Sequence, residues 1–321
     1  MNFLTIILMA YVSLLDVDFN YLFHHYQNHF GKSYQEHEYN YRLGNFIDNA
    51  KHAWEFNTLN NASYTLGITP YSDMSHDEFS SYMNFNGFMK SRGCDDMNYD
   101  SMMSLPESMD WRDYGAVTSV KDQGQCGSCW SFSSTGAIEG VNAISGSGLV
   151  DLSEQQLVDC AGGIYRNHGC NGGLMDFAFN YVMDNGQCLY EDYPYTATKG
   201  DCEECSSYLY LKGCMDVPAS NELALKEAVS QQPVSVAIEA DTRVFQLYDG
   251  GILTSDACGT NLDHGVLTVG YGEEDGVKYW IVKNSWGQAW GESGYIRIGR
   301  SESESSDGVC GIAMQPSFPT L

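Results

Sequence analysis

Ten of the eleven cysteines lie between Cys126 and Cys310, and the remaining one, Cys94, stands ahead of them. A chain loaded this way builds that zone around disulfides or around metal, and the redox compartment decides which. The N-terminus addresses the compartment. Phe3 to Leu15 is nearly all apolar and Asp16 ends the run. That is the length of a signal-peptide core and too short to span a bilayer. Residues 1–15 are therefore expected to be a secretory signal, with the protein bound for a lysosome, a digestive vacuole or the extracellular space. Disulfides are then the expected use of the cysteines. No other apolar run is long enough for a membrane span. The formal net charge of −26 excludes nucleic-acid binding through counterion release. Nothing in the sequence implies a metal or an organic cofactor, and a monomer is the default.

Three zones follow the signal. Residues 16–90 are polar and rich in aromatics, and six of the eight histidines fall before position 80. Within this zone Tyr34 to Asn57 has no proline and repeats apolar residues at helical steps (Tyr39, Leu43, Phe46, Ala50), with Gly44 as a weak point. Residues 88–104 (FMKSRGCDDMNYDSMMS) show no period and read as an exposed linker. From Leu105 onward, cysteines and glycine-rich loops dominate. Helix patterns there (Cys129–Ile144, Ser153–Asp159, Leu174–Asp184) precede strand patterns (Val234–Ile238, Gly265–Gly270, Lys278–Lys283, Tyr295–Ile298). Helices first and strands second predict an α+β layout.

Inside the helical half, QGQCGSCWSF (123–132) holds two cysteines three residues apart. A zinc site needs three or four ligands, and His168 with Cys170 could complete one on paper. A redox dithiol would sit at a strand-to-helix turn. The third option gives the two cysteines unrelated jobs. Cys129 opens a helix, where the dipole favours a thiolate. It needs a base, and only His168 and His264 lie beyond position 100. His168 sits in a glycine-rich loop, whereas His264 begins an apolar strand run (LDHGV). Asn284 in KNSWG could orient the imidazole, with Trp286 as a shield.

Together QGQCGSCWSF, LDHGV and KNSWG resemble the papain-like cysteine proteases, near the cathepsin L branch. The resemblance runs from about residue 19 to the C-terminus. It implies a two-domain fold, a helical left domain and a β-barrel-like right domain over 105–321, preceded by a mainly helical inhibitory propeptide over 16–104. It implies Cys129 as nucleophile, His264 as its partner in a thiolate–imidazolium pair, Asn284 as orienter, and Gln123 as oxyanion donor. It also implies a cysteine endopeptidase whose precursor is activated by acid, acting on peptides and proteins with its own propeptide as inhibitor. Gly173 would bind substrate backbone. Leu174, Met175, Ala237 and Gly265, with Gln315 at the base, would form the pocket for a hydrophobic residue second before the cut. The implied disulfides are Cys126–Cys170, Cys160–Cys202, Cys258–Cys310 and Cys188–Cys205, which leaves Cys94 and Cys214 over, either as two free thiols or with Cys214 buried as a small hydrophobe.

Glu38, Arg42, Phe46, Asn49 and Asn57 match the spacing of the inhibitory helix in cathepsin L-like propeptides, with Ala53 where isoleucine is usual. GITPYSD (67–73) resembles the second propeptide motif. The family pattern sends this zone through the cleft in reverse, with release in acid as carboxylates such as Asp73 lose charge. A catalytically silent homologue that binds peptides or proteases is the alternative function.

Overall fold

Asp18 caps the first helix by accepting from the amides of Asn20 and Tyr21, and Gly31 ends it at φ 63°. This opens the computed structural model of the chain, which describes residues 17–82, 93–254 and 258–321. The expected signal at 1–15 and residues 83–92 of the expected propeptide lie outside the described residues.

The propeptide body holds helix α1 (Phe19–Phe30), helix α2 (Glu36–Leu59), strand β1 (Tyr64–Leu66) and helix α3 (His76–Tyr82). A capping box between Gln35 and Glu38 starts α2, which continues through Gly44 without a break. Phe23, Tyr26 and Phe46 form its small core. Two short strands follow, β2 (Asp95–Asp96) and β3 (Met109–Asp110).

The helical half comes next, with α4 (Cys129–Asn142), α5 (Glu154–Cys160), α6 (Met175–Asn185) and the ribbon β4 (Gln187–Cys188) and β5 (Ser207–Leu209). Its core includes Trp130, Ile138, Leu157 and Phe179. The sheet half holds β6 (Gly213–Asp216), α7 (Glu222–Gln231), β7 (Val234–Ile238), α8 (Arg243–Leu247), β8 (Tyr248–Leu253), β9 (His264–Glu274), β10 (Val277–Lys283), β11 (Tyr295–Gly299) and β12 (Ser317–Thr320). The predicted helices and strands are all present, most with ends moved by a residue or two. The largest difference is β9, which runs on to Glu274 because β10 pairs with it over its full length.

Strand order is β1-β8-β11-β10-β9-β7-β12-β6-β2, with β3 beside β9. Both outer positions are taken by strands from before Leu105. An open edge exposes unpaired backbone groups, so the upstream chain covers one edge through β1 and the other through β2.

Five disulfides are present. Four are the pairs Cys126–Cys170, Cys160–Cys202, Cys188–Cys205 and Cys258–Cys310. The fifth joins the two cysteines left over, Cys94 and Cys214, so neither is a free thiol. The cause is the parallel pairing of Asp95 with Met215, which brings the two Cα atoms to 5.0 Å. The exposed-linker reading of 88–104 is corrected for 93–100 in the same way. Backbone groups there bond to both halves, Gly93 to Asp176 and Asn180 of α6, Met97 to Asp216 and Asp100 to Glu227.

Candidate active site

Helix α4 is locked against the sheet by two serine hydroxyls. Ser133 donates to the Val266 carbonyl at 2.7 Å, and Ser235 donates to the Ser133 carbonyl at 3.0 Å. That register sets the start of the helix against the start of β9. The approach is close enough that a Cβ on Gly265 would lie 3.3 Å from the Trp130 nitrogen. Cys129, the one free cysteine, is the first helical residue, and the Gly265 and Trp130 amides point at its sulfur. His264 precedes Gly265 as Cys129 precedes Trp130, so the two residues come from the two halves onto neighbouring positions at their junction.

His264 is 1% exposed and Cys129 is 3% exposed. The Nε2 of His264 lies 2.8 Å from the Oδ1 of Asn284, which also accepts the Ser285 amide at 2.8 Å. A backbone donor on that atom fixes it as oxygen, so Nε2 carries the proton and Nδ1 keeps the lone pair. Trp286 stacks on the imidazole, with centroids 4.7 Å apart.

Burial pushes the Cys129 thiol up to about 11, against the pull of the Gly265 and Trp130 amides. Burial pushes His264 down to about 4, with Asn284 pulling the other way. In this full-length chain burial thus opposes the thiolate–imidazolium pair that the resemblance implies and favours the two neutral groups.

Gln123 lies beside the same helix start. Its Nε2 donates to the Cys126 carbonyl at 2.9 Å, and its Oε1 accepts from Ser285 Oγ at 2.7 Å. Gly173 has no room for a side chain, since a Cβ would sit 2.7 Å from the Trp130 ring. Ala237 pairs with Gly265 between β7 and β9, and Met175 Sδ lies 3.2 Å from the Gly265 Cβ position. Leu174, buried, caps α6 beside Met175. Met175, Ala237 and Gly265 are therefore together. Gln315 is half-buried just before β12.

The zinc and dithiol options fail on bonding, because Cys126 is joined to Cys170, Cys129 is free, and His168 is exposed. Among the described residues, Cys94, Asp176 and Asp216 form a cluster of metal-ligand types, but the Cys94 sulfur is taken by its bridge.

Residue-by-residue reading missed the support behind the site. Lys283, buried next to Asn284, donates to Thr118 at 3.0 Å, and Thr118 donates to Glu139 at 2.6 Å. Lys121 binds both Glu139, at 3.2 Å, and Glu154, at 2.7 Å. This network ties the strand carrying Asn284 to the helix carrying Cys129. A lysine ending an apolar strand and a glutamate inside an apolar helix were the available signals.

The propeptide body docks on the sheet half, close to this site. Tyr71 and Phe79 meet the Trp286 ring edge-on at 5.6 and 5.7 Å. Thr69 donates to the Gln246 carbonyl at 2.6 Å, and Gln246 Nε2 donates to the carbonyls of Tyr71 and Met74. Asn49 of the inhibitory helix donates to the carbonyls of Ser72 and Met74, and Asn57 both donates to and accepts from the Leu66 backbone. Ala53, the departure from the motif, packs on Leu66 and Leu247.

Comparison with known proteins agrees with this geometry. Residues 105–320 match the papain family cysteine protease model, and residues 23–79 match the cathepsin propeptide inhibitor domain (I29). The chain is 49% identical over 281 residues to cysteine proteinase RD21A of Arabidopsis thaliana, covering 85% of this chain but only 60% of that longer protein. It is 47% identical to cysteine endopeptidase RepA of Oryza sativa subsp. japonica, covering 87% of this chain and 77% of the relative. The solved structure of digestive procathepsin L 3 from the larval midgut of Tenebrio molitor superposes with a TM-score of 0.87 at 41% identity, covering 95% of this chain and all of that one. The chain belongs to the papain family of cysteine proteases, as a zymogen in which a cathepsin-type propeptide precedes the peptidase.

Proposed function

We propose that the chain is the acid-activated precursor of an endopeptidase of the secretory route, working through a Cys129 thioester. The observation that carries this is a free cysteine at the start of a helix whose next residue packs on Gly265, directly after a histidine whose Nε2 is held by Asn284. With Nε2 protonated, Nδ1 is the nitrogen available to take the thiol proton. The thiolate then attacks the peptide carbonyl, the imidazolium gives its proton to the leaving amine, and water hydrolyses the thioester. The Cys129 amide and the second Nε2 hydrogen of Gln123 would hold the oxyanion, each such donor being worth about 3–4 kcal/mol in the transition state. A hydrophobic side chain second before the cut would enter the space between Leu174, Met175, Ala237 and Gly265, with Gln315 tuning its far end.

Acid activation is assigned to the contacts of the propeptide body, where burial and the Arg243 guanidinium lower the pKa of His52. The catalytic pair carries one proton both as neutral thiol and imidazole and as the ion pair, so exchange between the two forms does not depend on pH. Opening restores water to the thiol and imidazole and lets the ion pair form. The cut that separates the peptidase would fall among the exposed residues 101–104.

The test holds the purified full-length chain at pH 7 and then at pH 4.5 with a thiol reductant, following chain mass and hydrolysis of Phe-Arg and Leu-Arg fluorogenic peptides. Mass should fall by the propeptide as activity appears. Cys129→Ser should do neither, with kcat/KM lower by about 10⁴-fold or more. Asn284→Ala should keep the fold and lose about 10²-fold through a misplaced imidazole. If a chain cut at 101–104 by an added protease, with its Cys94–Cys214 bridge reduced and the propeptide separated, neither hydrolyses peptide nor takes an epoxysuccinyl label at Cys129, the protein is a binding homologue instead.

A further inference from the structure

Cys94 lies before the expected cut and Cys214 lies after it, 120 residues away in sequence. Neither partner is needed to shape the catalytic residues. The segment around Cys94 is built onto the peptidase part. Asn180 donates to the Gly93 carbonyl at 3.1 Å, the Met97 amide bonds to the Asp216 carbonyl at 2.8 Å, and the Asp100 amide bonds to Glu227 at 3.1 Å. Tyr99 reaches Glu304 at 2.9 Å.

We propose that the Cys94–Cys214 bridge is a second, redox-sensitive lock on the zymogen, so that the cut at 101–104 alone yields a two-chain enzyme with its propeptide still attached. Release then needs reduction of that bridge or another cut on the N-terminal side of Cys94. The latency part of this inference rests on the proposed protease function; the covalent part does not.

Acid can weaken the hydrogen bonds of the propeptide body, but it breaks no disulfide. Reduction of the bridge takes two electrons and two protons from a dithiol. One thiolate of the dithiol attacks a sulfur to give a mixed disulfide, and the second closes the dithiol into its own disulfide, leaving Cys94 and Cys214 as thiols. Two features slow this in an acidic compartment. The thiolate fraction of the reductant is small at low pH. The site is also guarded, because Cys214 is 3% exposed and the carboxyl oxygens of Asp176 and Asp216 lie within 4.8 Å of the Cys94 sulfur. The order of events is therefore cut first and reduction later. In between, the tether holds the propeptide at an effective concentration of about millimolar, so it rebinds whenever the pH returns to neutral.

The experiment places a recognition sequence for thrombin, a serine protease that needs no reductant, at residues 101–104 of the full-length chain. It compares the natural bridge with the pair Cys94→Ser and Cys214→Ala. After the cut at pH 7 without reductant, the bridged protein should keep its full mass and separate only with a dithiol. Its activity per molecule should stay flat on dilution, whereas that of the bridge-free variant should rise about tenfold over a hundredfold dilution as the propeptide leaves. Three results would overturn the proposal: separation without reductant, two alkylatable thiols at Cys94 and Cys214 in the uncut chain, or the same response to dilution in both proteins. Should the variant not fold, the bridged protein decides the matter through its mass and its activity before and after brief dithiol treatment. Epoxysuccinyl labelling of Cys129 in the separated peptidase chain reads the protease function independently. Its failure beside an intact tether would sink that function and spare the bridge.

Discussion

The two outer strands of the sheet both come from the region before Leu105, yet different physics holds them. At one edge β1 pairs antiparallel with β8, Tyr64 opposite Gly251, and the helices behind it add hydrogen bonds and aromatic contacts. Nothing there is covalent, and much of it depends on charge. Asp73 accepts from Tyr26 and Tyr34, and Arg243 of the peptidase meets Asp48 and Asn49. At the other edge β2 pairs parallel with β6 over only two residues, Asp95 and Asp96. Two residues of ladder hold little on their own, and a disulfide does what pairing cannot. The first grip should therefore answer to protons and the second to electrons. An inhibitor held in both ways can be loosened by acid without being lost.

The largest effect that would break this division is at Asp73. Its carboxylate satisfies two tyrosine hydroxyls and faces Lys32 at 3.6 Å, which ties α1 to the turn that carries Tyr71. Asp73→Ala takes the carboxylate from the half-buried Tyr34 hydroxyl and from the buried Tyr26 hydroxyl, which keeps the Pro70 carbonyl. The expected cost is about 2–3 kcal/mol of body stability. The uncut chain at pH 7 should then label Cys129 with an epoxide about 30- to 150-fold faster, with the Cys94–Cys214 bridge still closed. Unchanged labelling would mean that the proton-sensitive edge is not what keeps the site shut.

Sequence foretold the two edges unequally. The proton-sensitive edge was legible because its parts are local. Arg42, Phe46, Asn49 and Asn57 share one helix, and Phe46 and Asn49 are buried where the motif puts them. Cys129, His264 and Asn284 were legible for the same reason, each sitting in a short distinctive run at the end of a helix or strand. The other edge was not legible. Residues 93–100 are polar, with exposed acidic side chains, and carry no alternation. Their order comes from backbone partners supplied by β6, far along the chain. The charged residues between the halves misled in a smaller way, because Glu139 of α4 and Lys283 of β10 look like surface residues until the network is seen. The resting state of Cys129 and His264 could not be read from motifs at all, since it follows from how deeply the full-length chain buries them.

A second, smaller effect lies on the peptidase side of the same edge. Arg243 donates to Asp48 at 2.5 Å and to Asn49 Oδ1 at 3.0 Å. Arg243→Ala removes an ion pair whose aspartate is largely exposed and two hydrogen bonds to the buried Asn49 amide oxygen. The loss in docking should be about 1–2 kcal/mol, most of it from Asn49. Activation, followed as chain mass against pH, should then start at a higher pH, while the isolated peptidase keeps its kcat/KM. Equal activation profiles would place the proton-sensitive contact elsewhere.

The smallest and most specific effect concerns His52, on the face of α2 that meets Arg243. Burial lowers its pKa, and the Arg243 guanidinium lowers it further, with Asp48 and Glu55 pulling the other way. A docked histidine with a depressed pKa binds fewer protons than a free one. Its contribution to docking is therefore complete above the usual histidine value of about 6.5 and declines as pH falls below it. His52→Gln removes this linkage without adding charge. The propeptide should hold slightly deeper into acid, moving the activation midpoint down by about 0.3 pH unit, since the half-exposed ring is well screened. The same change in an Arg243→Ala background should shift the midpoint less, because one of the two causes is gone. An unchanged midpoint would place proton sensing at this edge in other groups, and a shift in the opposite direction would mean that charged His52 strengthens docking.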